Sequence, residues 1–252
     1  MKYFVEENSI VREIWGKADN ILFIFAGASA EFALNKAIDW LYFTGKLPAD
    51  PLGRLFSTVS YARVIVFSKE KAALRAIDSM ATIHSQVETN RGAKIPDWAY
   101  RDVLFMLIDY SIRAFELLER KLTSEEKQEV FNVFFRLGDR MGLNGLPQNF
   151  PEWKKMRREY LQNNLKHSHY TDDLFRQYRK HLGPMRFCLL QEAQIMVMPQ
   201  QARKLLGYRK TSFLRPLIIL YKLGRHLKFD RLLKSLILPP KYKKEILALD
   251  KV

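Results

Sequence analysis

The chain has 252 residues, 48% hydrophobic and 13% aromatic, with a formal net charge of +15 at pH 7. That length and apolar content suit one large domain or two small ones with a substantial core and exclude a largely disordered chain. A single cysteine, Cys188, excludes a disulfide framework and a cysteine-based zinc site and fits a reducing compartment.

The opening MKYFVEENSI contains two glutamates and no apolar stretch, so no cleavable leader is expected. The longest apolar run, 21–34, is interrupted by Glu31 and falls short of the ~20 residues that a spanning helix needs. The expectation is a soluble, cytoplasmic chain.

Residues 12–44 show helical apolar spacing, expected as two pieces joined around Gly27. Residues 46–53 carry two prolines and a glycine and read as a loop. A helix is expected over 54–67, with Arg54 and Thr58 four apart on one face. Ser68 is the expected cap of the next helix, which runs to about Glu88. On that helix Leu74, Ile77, Ala81 and His84 recur at helical spacing, so an apolar face carries an imidazole. A lone core histidine ordinarily hydrogen-bonds to a carbonyl. The alternative is metal ligation, haem iron in particular, which asks for one axial imidazole, an apolar cleft and some cations.

After a break at 90–96, Asp97 is the expected cap of a long amphipathic helix, WAYRDVLFMLIDYSIRAFELLERKL. Its stripe of Leu104, Leu107, Ile108, Ile112 and Phe115 reads as ordinary packing, or as the wall of an apolar substrate pocket. Thr123-Ser-Glu-Glu126 is a capping box, and its helix is expected to close at Gly142. A polar helix over 151–164 follows a Gly/Pro/Asn segment. His167 and His169 lie beside Asp172 and Asp173, but residues two apart do not share a helix face, so they read as solvated capping residues. Thr171 is the expected cap of the next helix and Gly183-Pro184 its end, with His181 near the closing turn. Later helical patches are broken by Pro199, Gly207, Pro216, Gly224 and Pro239-Pro240. No strand pattern and no repeat is visible, so the fold class is all-α. One domain over 1–252 with a basic C-terminal extension from about residue 208 is the simplest organisation.

Other chemistries lack their signatures: there is no glycine-rich phosphate loop, no G-x-S-x-G elbow, no His-Glu-x-x-His and no Glu-x-x-His di-iron pattern. The positive charge gathers late, since from Arg203 to Val252 the acids are Asp230, Glu245 and Asp250 alone. There, TSFLRPLIILYKLGRHLKFDRLLKSLILPPKYKK interleaves apolar and basic residues as interfacial helices do, which points to an anionic membrane surface. Nucleic acid is the weaker reading because no recognition motif stands out, and a plain solvated basic face, His226 included, is the third.

Several short segments nevertheless follow one another in a recognisable order. Asp50-Pro-Leu-Gly-Arg54-Leu-Phe-Ser-Thr58, Ile83-His84-Ser-x-Val87 and Leu107-Ile-Asp109-Tyr-Ser-Ile-Arg113-Ala-Phe-Glu116 come first. Leu137-Gly-Asp-Arg-Met-Gly142, Met198-Pro-Gln-Gln-Ala-Arg-Lys-Leu-Leu-Gly207 and Leu238-Pro-Pro follow. Together they resemble the catalytic domain of the MpaB and latex-clearing protein (rubber oxygenase) family. The resemblance implies a helical, globin-like core around b-type haem and an oxygenase that uses dioxygen on an apolar, isoprenoid or lipid, small molecule. It also implies His84 as the proximal iron ligand, with Arg54 and Thr58 lining the haem site. The chain departs from the family in four places. Ser57 stands where latex-clearing members carry lysine, Leu104 where many carry a histidine, and Ala28-Ser29-Ala30 where Ala-His-Pro is common. No residue lines up with the glutamate proposed for rubber cleavage, Glu31 and Asp39 being only nearby carboxylates. The expectation is therefore a haem-dependent oxygenase that does not cleave polyisoprene. The alternatives are a non-catalytic basic module on an anionic membrane or nucleic acid, and a haem sensor or electron carrier.

Overall fold

The structure, a computed structural model, describes residues 2–225. Among them are twelve helices and no strand; two isolated bridges, Tyr3 with Lys69 and Asn35 with Leu165, are the extended pairings. His226, the Leu238-Pro-Pro match and the rest of the basic C-terminal segment lie outside the described residues.

Helix α1 (Ile10–Trp15) is capped by Ser9, whose side chain accepts from the Val11 amide. Helix α2 (Ala18–Leu34) runs unbroken through Gly27, where two pieces were expected. The glycine is there for a different reason: a Cβ on Gly27 would stand 2.2 Å from Cε1 of Tyr110. Tyr110 lies on α7 (Asp97–Leu118), and its fully buried ring fills the space that the missing side chain leaves. Helix α2 is buried almost all round and packs along α7 on one side and α10 (His169–Val197) on the other, as a central helix must.

Two short helices, α3 (Ile38–Phe43) and α4 (Lys46–Ala49), occupy the region that reads partly as loop. Helix α5 (Pro51–Phe67) begins before Arg54 because Asp50 accepts from the Gly53 amide at 3.0 Å and Pro51 suits a first turn. Helix α6 (Glu70–Arg91) is preceded by Lys69 rather than capped by Ser68, and it extends past Glu88 to Arg91, with Gly92 as its C-cap. On α8 (Ser124–Arg140) the expected capping box is present: the Glu126 amide donates to Thr123 Oγ1 at 3.2 Å and the Thr123 amide to Glu126 at 2.8 Å. After α9 (Phe150–Asn163), Ser168 rather than Thr171 is the capping position of α10. The Thr171 hydroxyl instead accepts from the Ser168 amide at 3.0 Å and donates to the Ala33 carbonyl at 2.6 Å. At Gly183 (φ 74°, ψ 166°) the backbone leaves helical geometry, so the expected end at Gly183-Pro184 is present and α10 is two helices meeting at a sharp kink, the second starting at Pro184. Helices α11 (Gln200–Leu205) and α12 (Arg215–Arg225) complete the described fold.

A buried ionic cluster ties α2, α7 and α9 together. Arg157, 4% exposed, meets Glu31 at 2.5 and 2.9 Å and Asp109 at 3.0 and 2.9 Å. Tyr110 donates to Glu31 at 2.7 Å and Arg113 to Asp109 at 2.7 Å. Buried charges are tolerated when every lone pair finds a donor, and both carboxylates here have several. Nearby, Asp102 accepts from the side-chain amides of Asn35 at 3.2 Å and Asn164 at 3.0 Å. Among the described residues, no helix is long and apolar enough to cross a membrane.

Candidate functional site

Helices α5 and α6 form an antiparallel hairpin joined by Ser68 and Lys69. Arg54 precedes the turn by about as many residues as His84 follows it, so the hairpin brings the two side chains close together. Arg54 Nη1 donates to Thr58 Oγ1 at 3.0 Å, and the Thr58 hydroxyl donates to the Arg54 carbonyl at 3.3 Å. Burial lowers the pKa of Arg54, and among the described residues no carboxylate pairs with it. A part-buried guanidinium held by a single hydroxyl retains most of its donors for an anion.

His84 feels that charge. Burial first, and the Arg54 cation second, lower the pKa of His84, while Glu88 one turn further on pulls the other way. The imidazole is therefore neutral at neutral pH, the form that can offer a lone pair to a metal. Its Nδ1 is buried without a hydrogen-bond partner. The Tyr100 ring, from the first turns of α7, packs edge-on against it, with centroids 5.2 Å apart at 64°. Tyr100 donates to Glu88 Oε1 at 3.1 Å, and the same oxygen accepts from the Ile95 amide at 2.9 Å. Burial and the Glu88 carboxylate together push the Tyr100 phenol upward, so it remains a donor.

The apolar face expected around His84 is present only in the first half of α6. Ala73 and Ile77 are fully buried, and Leu74 and Ala81 partly so. From Asp78 to Asn90 no side chain is fully buried, and Ile83 is 48% exposed. The α7 stripe is core packing: Leu104, Ile108, Ile112 and Phe115 are buried, and Leu104 closes on Gly138 of α8. Glu31 is taken up by Arg157 and Tyr110, and Asp39 pairs with Arg91 at 2.6 Å. Ser57 is exposed. Ser29 donates to the Ala26 carbonyl at 2.8 Å and accepts from Gln194 at 3.1 Å. His167 is exposed, 3.4 Å from Asp172, and among the described residues no three His, Cys, Asp or Glu side chains gather as a metal site. A site with one axial imidazole does not require such a group.

The family model for the catalytic domain of ER-bound oxygenase mpaB/B′ and rubber oxygenase matches residues 19–227. The chain belongs to that family. No curated protein and no solved structure matches it significantly.

The match begins in α2 and ends just past α12, so the Arg54–Thr58–His84 arrangement and the Arg157 cluster both fall within the mpaB/rubber oxygenase domain. Membership points to oxygenase activity. Asp109 and Arg113 of the third motif belong to the buried ionic cluster. Two neighbours of His84 escape a reading by motif. Glu88 is visible in principle, being four residues on from His84 and hence on the same face. Tyr100 is not, since only the packing of α7 on the hairpin brings it to the imidazole.

Proposed function

We propose that this mpaB/rubber oxygenase domain is a haem-dependent oxygenase acting with dioxygen on an apolar, isoprenoid- or lipid-like substrate. The observation that carries this reading is the uncommitted nitrogen of His84. An unpaired buried polar group costs about 1–3 kcal/mol, and ligation of iron would remove that cost. The surrounding residues fit the cofactor. His84 would ligate the iron, and Arg54 would bind a haem propionate through the donors that Thr58 leaves unused. Thr58 holds the guanidinium in place. Glu88 and Tyr100 form a braced pair that fixes one edge of the imidazole. In this reading the helices around α6 would enclose the group in a globin-like manner. Bound haem would supply the iron that activates dioxygen.

The test is a visible absorption spectrum of the protein produced with ample haem, beside the His84→Ala variant. The reading expects a strong Soret band that the variant loses or shifts. A colourless parent protein that also takes up no added haemin overturns it. A haem sensor or electron carrier is the second reading, favoured because Ser57 stands in place of the lysine and the nearby carboxylates Glu31 and Asp39 are held by Arg157 and Arg91. Dioxygen uptake with a reductant and an unsaturated lipid separates the two, since only the oxygenase consumes lipid.

A further inference from the structure

The turn that leads into α12 is built around a buried carboxylate. Glu192 on α10, 6% exposed, accepts from Ser212 Oγ at 2.6 Å and from the Phe213 amide at 2.9 Å, and it pairs with Arg209. Ser212 is itself buried and accepts from the Leu214 amide at 3.1 Å. The next side chain points the other way: Phe213 is 77% exposed, with the Arg209 guanidinium stacked 3.8 Å over its ring. An aromatic residue is thus held out in solvent by an anchored turn, rather than left there by a loose one.

Helix α12 continues the same surface. Leu217 is 52% and Leu220 62% exposed, three residues apart on one face of α12, and with Phe213 in the turn just before the helix they form an exposed apolar ridge. Its other side is fastened to the body, with Tyr221 donating to Asp19 at 3.0 Å and Lys222 to the Glu119 carbonyl at 3.3 Å. Residues 199–225 contain seven Lys or Arg and no Asp or Glu. Lys204, Lys210 and Arg215 are exposed there.

We propose that the Phe213–Leu217–Leu220 ridge docks on the surface of an anionic phospholipid bilayer. The apolar tips enter the headgroup–acyl boundary, and the surrounding lysines and arginines meet lipid phosphates. Charge selects this occupant. Residues 226–252 carry seven Lys or Arg against three acids, so the chain's own tail has the same sign as the ridge surface. A second copy would set two such fields face to face, which is repulsive. An anionic bilayer is complementary in both respects, being negative at its surface and apolar beneath. The inference does not depend on haem.

The test uses the full chain with phosphatidylcholine vesicles, with and without about 30% phosphatidylserine, by co-sedimentation at rising salt. Binding is expected only with phosphatidylserine, and salt should weaken it. The triple variant Phe213→Ser, Leu217→Ser, Leu220→Ser should lower vesicle affinity by about tenfold or more. These side chains are exposed, and far-UV circular dichroism checks that the variant is folded. In Phe213→Trp, the indole emission should shift to the blue on phosphatidylserine vesicles. Three results would overturn the proposal: undiminished binding by the triple variant, no blue shift, or a dimer abolished by the triple variant while neither protein binds vesicles.

Discussion

Gly27→Ala tests the central helix pairing most directly. In an isolated helix, alanine for glycine would stabilise by about 1 kcal/mol. In this fold the new methyl group would stand 2.2 Å from Cε1, 2.4 Å from Cδ1 and 2.9 Å from Cζ of Tyr110. Carbon atoms prefer about 3.5–4.0 Å, so ring or helix must move by more than an ångström. The ring has little freedom: it is fully buried, and its hydroxyl is tied to Glu31 at 2.7 Å. Overpacking of this severity costs about 3–4 kcal/mol, at or beyond the upper end of its usual range. After the propensity gain, a net loss of about 2–3 kcal/mol remains, or a fall in Tm of roughly 5–10 °C for a chain of this size. Thermal and denaturant unfolding of parent, Gly27→Ala, Tyr110→Leu and the double variant form a double-mutant cycle. The alanine should be far less harmful when leucine replaces the ring. A neutral or stabilising Gly27→Ala would show that α2 and α7 do not meet there.

Arg157→Met strands the carboxylates of Glu31 and Asp109 in the interior and should cost about 3–5 kcal/mol in denaturant unfolding; adding Glu31→Met should recover a good part. Burial raises the pKa of Asp102 to about 7 against the Asn35 and Asn164 donors, so its protonated form is favoured in the folded state. That stabilisation is complete below about pH 4 and is lost as pH rises through about 7, and Asp102→Asn should flatten the stability profile measured across that window. Thr123→Ala removes one half of the α8 capping box and should lower stability by about 1 kcal/mol in the same assay. If haem binds His84, its depressed pKa should keep the ferric Soret band intact on acidification below the usual imidazole range of about 6.5. Glu88→Gln, which removes the charge that raises that pKa, should move the collapse of the band to still lower pH.

Local signals carried much of the fold. Apolar spacing located the long helices, and the Thr123 capping box reads directly from four residues because its two hydrogen bonds close within one turn. The signals that misled were those with a distant cause. Gly27 looks like a helix joint, yet a ring from α7 accounts for it. Arg157 is one basic residue in a polar helix, and nothing nearby in the chain announces Glu31 or Asp109 as its partners. At the candidate site, the hairpin spacing of Arg54 and His84 was legible as soon as both helices were placed. The neutral, unpaired state of the imidazole was not, because it depends on burial and on Tyr100.

Helix α6 can be pictured as a beam resting on two piers. At one end Ala73 and Ile77 sit in the core, and the extended pairing of Tyr3 with Lys69 holds the turn. At the other, the Arg91 guanidinium lies 3.9 Å over the Trp40 ring while gripping Asp39. His84 lies in mid-span. Between the piers the span is propped where Glu88 accepts from Tyr100 and from the Ile95 amide, so the imidazole is held from the α7 side. Arg91→Ala would remove the outer pier and leave the Glu88 prop to carry the His84 end of the beam.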